Sequence, residues 1–217
     1  MRCIDSNTFM KKVFLLSIIL TFTPLTAKSE TNDISPEEME SYKARAIEYM
    51  NAFQKGLEII GSKDAGITPA IKKHQKDILI TFFMNDGKAW TDNNGHPHPG
   101  AEMEVTSVRY GRTIDEPHSY PIMTYFNNLQ RLSYVSVKIT QAANCVISNL
   151  YKTSDNQYEA TVTYFQFFEG KRGDGSFYRD RTQKDVKIYL TKVTDGNLGS
   201  FWDLKFGDIK VVETVRY

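Results

Sequence analysis

Only two cysteines, Cys3 and Cys145, occur among the 217 residues. Cys3 lies in a leader-like segment, so the remainder holds a single thiol and no internal disulfide. A domain of this length is stable on its core alone. Net charge is equally scarce, with 27 Lys and Arg against 26 Asp and Glu. Removing residues 1–27 takes away Arg2, Lys11, Lys12 and Asp5, leaving 24 basic against 25 acidic residues. That balance gives no electrostatic reason to expect nucleic acid or an anionic membrane as partner. No apolar run reaches the ~20 residues that a spanning helix needs, so stable membrane insertion is not expected. There is no glycine-rich phosphate loop, no Gly-x-Ser-x-Gly elbow and no zinc-type cysteine pair, and no cofactor is implied. Internal repeats and low-complexity tracts are also lacking.

What is present begins with Met10, Lys11 and Lys12, then an apolar run over residues 13–22 and the small residue Ala27 before polar sequence. A basic start, a short apolar stretch and a small residue at the cleavage point read as a secretory signal peptide over 1–27. Residues 1–9 then precede the true start at Met10. The expected product is exported, to the periplasm or beyond the cell, with a polar linker over 28–34 and one domain over 35–217.

Ser35-Pro36-Glu37-Glu38 is a helix start. Ser caps, Pro fits the first helical position, and Glu38 reaches back to the capping amide. Met39, Tyr42, Ala46, Tyr49, Phe53, Leu57 and Ile60 follow at steps of three and four, and Gly61 is placed to end the helix. Thr68-Pro69 opens a second helix, with Ile71, Ile78, Leu79, Phe82 and Phe83 expected inward and Lys72, Lys73 and Lys76 on a solvated face. Asn85-Asp86-Gly87 is a turn, and residues 92–100 are too rich in Pro and Gly for regular structure. A strand is expected over 102–110, and Ile122, Tyr125, Phe126, Leu129 and Leu132 return to helical spacing.

From residue 135 onward the pattern is that of long strands joined by polar, glycine-bearing loops, an antiparallel meander. Tyr158, Ala160, Val162 and Tyr164 share a parity before Phe165 and Phe167 switch face; Val186, Ile188 and Leu190 share another. In the last strand Trp202, Leu204 and Phe206 alternate, and after Gly207 the apolar parity moves to Ile209, Val211 and Val215. A parity change needs one extra residue, so a β-bulge is expected at Gly207, with Trp202, Leu204 and Phe206 buried. Sheets with such switches bend and can wrap around helices.

This order of elements resembles the NTF2-like superfamily, the α+β cone also called cystatin-like. The matching parts are the capped helix over 35–60, the second helix ending in Ile80-Thr81-Phe82-Phe83, the short helix around residues 122–129 and the closing Trp202-Asp203-Leu204-Lys205-Phe206. The resemblance spans residues 35–217 and rests on element order, without a diagnostic motif. It implies two or three helices packed in the concavity of a strongly bent antiparallel sheet, with a pocket between them. Some members are isomerases, cyclases or dehydratases; others bind ligands, transport or dimerise. Fold analogy alone licenses no reaction.

Several residues could carry chemistry. His96 and His98 point the same way if extended, and Asp92, Glu102 or His118 could complete a metal shell, but a surface loop is the preferred reading and no metal is assigned. Arg172-Gly173-Asp174 matches an adhesion tripeptide and equally a plain turn. Trp90, Tyr164, Tyr189 and Trp202 are the candidate pocket lining, with Phe165 and Phe167 in the same aromatic set, against core packing as the ordinary alternative. Asp203 becomes a general-base candidate only if its side of the sheet is the concave one; Glu159 is the other acid beside these stripes. Cys145 shares the parity of Ile147 and reads as a structural thiol. No catalytic set emerges. The expected function is an exported binding or protein-interaction module with an apolar pocket; the alternative is a small pocket enzyme of the isomerase, cyclase or dehydratase type. A small apolar ligand, a protein partner or a second copy of the chain are the partners this leaves open.

Overall fold

The computed structural model describes residues 33–92, 95–106, 116–141, 145–197 and 199–217. All of them belong to the second of two compact units, residues 32–217; the first is 1–31. The signal segment, the start at Met10 and Cys3 lie outside the described residues, as do Val108 and Tyr110. Among the described residues no helix is long and apolar enough to cross a membrane.

Helix α1, Pro36–Gly61, begins with the capping box read from sequence. The Ser35 hydroxyl accepts from the Glu38 amide at 3.2 Å, and the Ser35 amide donates to the Glu38 carboxylate at 2.9 Å. Its inward stripe of Ala46, Met50, Phe53, Leu57 and Ile60 is fully buried. Gly61 closes the helix for a packing reason, since a Cβ there would sit 3.2 Å from side-chain atoms of Leu129 and Val137.

Helix α2, Pro69–Ile80, is shorter than expected and turned differently. Ile71 and Ile78 are exposed, whereas Lys72 is buried with its ammonium on the Ser62 carbonyl. Lys76 bonds Asn127 at 2.8 Å and Gln130 at 2.9 Å, so only Lys73 of the three lysines keeps the solvated role, paired with Asp77 at 2.8 Å. The apolar stripe misleads because Phe82 and Phe83 lie beyond the helix, where Phe83 forms a bridge to Phe206. Asn85, Asp86 and Gly87 all have positive φ, the turn expected of that sequence.

Two-residue strands β1, Trp90–Thr91, and β2, Pro97–His98, pair with each other, so residues 92–100 are not wholly irregular. β3, Glu102–Val105, and β4, His118–Pro121, precede helix α3, Ile122–Gln130. Three short strands follow: β5, Ser136–Gln141; β6, Val146–Ile147; and β7, Tyr151–Ser154. All three pair with the long β8, Gln157–Lys171. β9, Phe177–Asp195, and β10, Gly199–Arg216, complete the sheet. Its order is β4-β3-β10-β9-β8-β5. The sheet is mixed, because β3 runs parallel to β10 through the pairing of Ile209 with Met103. Three α-helices and this large sheet make up the α+β architecture that the NTF2-like resemblance implies.

Curvature comes from β10. Its pairing with β9 slips between Phe206 and Ile209, at Gly207 as expected, and again between Val211 and Glu213. The second slip reverses the parity once more, so Thr214 is buried and Val215 exposed, contrary to the reading from apolar spacing. Leu204 and Phe206 are buried; Trp202 is half-buried, with its ring 5.3 Å from that of Tyr158. β8 pairs with β9 without interruption from Gln157 to Lys171, so no face switch occurs at Phe165 and Phe167. The inward parity runs on through Gln166, Phe168 and Gly170.

Gly207 allows a close approach: a Cβ there would lie 2.6 Å from the Tyr189 ring. Gly207→Ala is expected to cost about 1–3 kcal/mol through overpacking. A urea melt checks this, and an unchanged midpoint would show that the Tyr189 ring yields freely.

Candidate functional site

The inward face of β9 reads Tyr178, Asp180, Thr182, Lys184, Val186, Ile188, Leu190, one parity without a break. Its apolar half fills the core. Its polar half forms one wall of a cavity of about 700 Å³. Gln166 and Phe168 of β8 continue that wall, α3 contributes Tyr125, Asn128 and Leu129, and Leu132 and Tyr134 close the side beyond α3. Arg172 and Arg216 also line it, with their guanidinium groups over the Tyr134 and Tyr178 rings at 5.8 and 5.2 Å. A volume of this size suits a small organic ligand.

Two buried ionisable groups, Asp180 and Lys184, add to the charges of Arg172 and Arg216 at this cavity. The Asp180 carboxyl is pushed above the usual carboxylate range by burial, partly offset by a Tyr178 hydrogen bond, the Lys184 charge and Thr182. The Thr182 hydroxyl lies 3.4 Å from Asp180 and 3.1 Å from Thr214, which in turn accepts from Thr106 at 2.6 Å. Lys184 is 4% exposed. Its amine is lowered from 10.5 to about 8 by burial, against the opposing pull of Asp180 and Glu104. The Nζ donates to the Met103 sulfur and the Glu104 carbonyl, both at 3.3 Å, and stands 5.8 Å from the Tyr125 ring centre. Among the described residues no carboxylate forms an ion pair with it.

Burial also raises the Tyr125 hydroxyl, with the Gln166 amide opposing and Asp180 reinforcing the shift. Gln166 Oε1 is buried without a hydrogen-bond partner. An acid, an amine, a phenol and an amide thus share one apolar enclosure. Such a set can orient a ligand oxygen and move a proton to or from it.

None of the four aromatic residues singled out from sequence lines this cavity. Trp90 and Tyr189 flank a separate recess of only about 30 Å³ beside Gly207 and Asp208. There Trp90 stacks on His98 at 4.3 Å, and Tyr189 meets the indole edge-on at 5.2 Å. Tyr164 is wholly buried in the core, close to the buried Gln54 amide. Trp202 packs on Tyr158. His96 Nδ1 and His98 Nε2 share one oxygen of Asp92, at 3.2 and 3.3 Å. Among the described residues no three His, Cys, Asp or Glu side chains are grouped as a metal would require.

The remaining candidates take ordinary roles. Asp203 is on the sheet face opposite Leu204, 3.7 Å from Lys205, and so away from the concave side. Glu159 accepts from Tyr151 at 3.0 Å and pairs with Lys187 at 2.8 Å. Arg172 to Asp174 form a turn in which Asp174 accepts from the Ser176 amide at 2.8 Å. The Cys145 thiol, half-buried beside Gln141, is raised by burial, which disfavours thiolate.

Asp180, Lys184, Gln166 and Tyr125 do not stand out as a set in the apolar spacing of the sequence. The signal was available: extending the parity of Val186, Ile188 and Leu190 back through Lys184, Thr182 and Asp180 puts two charges on a core-facing row.

No protein-family model matches the chain, and no curated protein matches it. Solved structures similar in fold include two from Novosphingobium. One is a candidate scytalone dehydratase from Novosphingobium aromaticivorans DSM 12444, 12% identical, covering 83% of this chain and 91% of its own, with a TM-score of 0.42. The other is hexachlorocyclohexane dehydrochlorinase LinA type 3 from Novosphingobium barchaimii LL02, 12% identical, covering 84% of this chain and 94% of its own, with a TM-score of 0.42.

Proposed function

We propose that this is an exported pocket protein that takes a small, largely apolar ligand with an oxygen-bearing end, and that it acts on the ligand by proton transfer. The observation that carries this reading is the buried Asp180 carboxyl in the cavity wall with a raised pKa. A carboxyl whose pKa is raised by burial gives up and takes back a proton closer to neutrality than an exposed one, which suits general acid–base work. Apolar walls from Leu129, Leu132 and Phe168 support an apolar body, and the unpartnered Gln166 oxygen supports a hydrogen-bond donor on the ligand. A binding module without turnover is the second reading, favoured by the same walls, and the two separate in one experiment.

The probe for binding is 2-naphthol, followed by its fluorescence. At ~0.5 kcal/mol per heavy atom a Kd on the order of 0.1 mM is expected. Leu132→Trp, which fills the cavity, should weaken it at least tenfold. Turnover is read as α-proton exchange of 2-tetralone in D2O by NMR, expected with the wild type and lost in Asp180→Asn. Binding without exchange would leave the module reading. Absence of saturable binding, or binding indifferent to Leu132→Trp, would overturn the cavity as a ligand site.

A further inference from the structure

Lys184 is not needed for proton transfer by Asp180, yet it is the more unusual group. A buried ammonium ordinarily finds a carboxylate, because the desolvation of an unpaired charge is costly. Here, among the described residues, the Nζ hydrogen-bonds a thioether and a carbonyl oxygen and no carboxylate, and the carboxylate on the same strand face, Asp180, stands four residues away with Thr182 between them. The side chain lies in the cavity wall, beside the Tyr125 ring. A group so placed is a nucleophile held in an apolar enclosure large enough to admit a small organic molecule.

We propose that Lys184 captures aldehydes or ketones of apolar compounds as a reversible imine. This rests on the reading of the cavity as a ligand site. The neutral amine attacks the carbonyl carbon, forming the C–N bond while the carbonyl oxygen takes up a proton. The resulting carbinolamine loses that oxygen as water, the nitrogen gives up its second proton, and a C=N bond remains. One water leaves for each imine formed, and no oxidant or reductant is consumed. Asp180, in the same wall, is suited to supply the proton to the departing hydroxyl and to recover one from nitrogen. The charged and titratable groups facing the amine are Asp180, Glu104 and Tyr125. Burial supports the step by leaving a large neutral fraction of the amine near pH 8.

Reductive trapping tests it on the intact protein. With 3-phenylpropanal and cyanoborohydride at pH 8, Lys184 is expected to be alkylated at least tenfold faster than surface lysines such as Lys55 and Lys73, as mapped by peptide mass spectrometry. Lys184→Arg, which keeps the charge and removes the nucleophile, should lose that adduct while its melting curve shows a folded chain. The unreactive analogue 3-phenylpropan-1-ol separates the two levels of the argument. Binding of the alcohol together with uniform labelling of all lysines, or with Lys184 unlabelled, would overturn imine capture and leave the ligand cavity standing. Failure of the alcohol to bind the wild type would remove the cavity reading and the capture with it.

Discussion

Lys184→Met is expected to stabilise the fold at pH 7 by roughly 3 kcal/mol and to abolish imine capture. The magnitude follows from the amine's displacement from 10.5 to about 8, at about 1.4 kcal/mol for each pH unit. The sign follows from proton binding. In the folded chain the amine releases its proton near pH 8, whereas the unfolded chain keeps it until about 10.5. Between those values the unfolded state binds more protons, so wild-type stability rises with pH across that window. Below pH 8 the burial penalty is fully present. Met has similar length, no charge and no desolvation penalty, so the variant should lack this rise and the two proteins should converge toward pH 10.5. For a domain of this size the gain at pH 7 corresponds to about 6–12 °C in Tm. Thermal melts at pH 7 and pH 10 check it. A lower Tm for Lys184→Met at pH 7 would mean that the amine contributes to stability. The Asp180 carboxyl has the same character with the opposite charge: its raised pKa disfavours the folded state above that pKa, and the penalty disappears as pH falls toward 3.8.

Phe206→Ala is expected to cost about 3–5 kcal/mol, the range for emptying a fully buried aromatic site. The Phe206 ring lies 5.9 Å from Phe53, 5.7 Å from Phe83, 6.0 Å from Phe82 and 6.4 Å from Tyr49, all edge-on. Its amide donates to the Phe82 carbonyl at 2.7 Å, and the strand is pinned there next to the bulge. Four rings held by α1 and by the segment after α2 cannot all collapse into the void. Phe206 does not line the cavity. The folded fraction of Phe206→Ala at low temperature should therefore bind 2-naphthol as the wild type does, while its urea midpoint falls well below. Equal urea midpoints would show that the helices and β10 are not locked through this cluster.

The parts of the fold that local chemistry decides were legible in the sequence. The capping box at Ser35 and Glu38 needs only neighbours in the chain, and the Gly207 bulge follows from parity over a few residues. Features set by distant partners were not. The burial of Lys72 depends on the Ser62 carbonyl, and the inward turn of Thr214 depends on a bulge in a stretch that reads as regular Val and Thr. Parallel pairing of β3 with β10 joins segments about a hundred residues apart.

The four aromatic residues expected to line a pocket stand away from the large cavity for a related reason. Large aromatic side chains can line a pocket, but burying them stabilises the chain most, and Tyr164 accordingly fills the core. The cavity opens where β9 stops being apolar. Charges on a core-facing parity, Asp180 and Lys184, mark that boundary, and a search confined to apolar spacing passes over them.

An NMR titration of the 13Cε and 15Nζ resonances in lysine-labelled protein tests most directly whether the cone holds an unpaired buried amine. One lysine should titrate near pH 8, and its signal should be missing from Lys184→Met. If every lysine titrates near the ordinary value of about 10.4, and Lys184→Met removes one of those signals, then Lys184 is solvated and the buried-amine reading of the cavity is wrong.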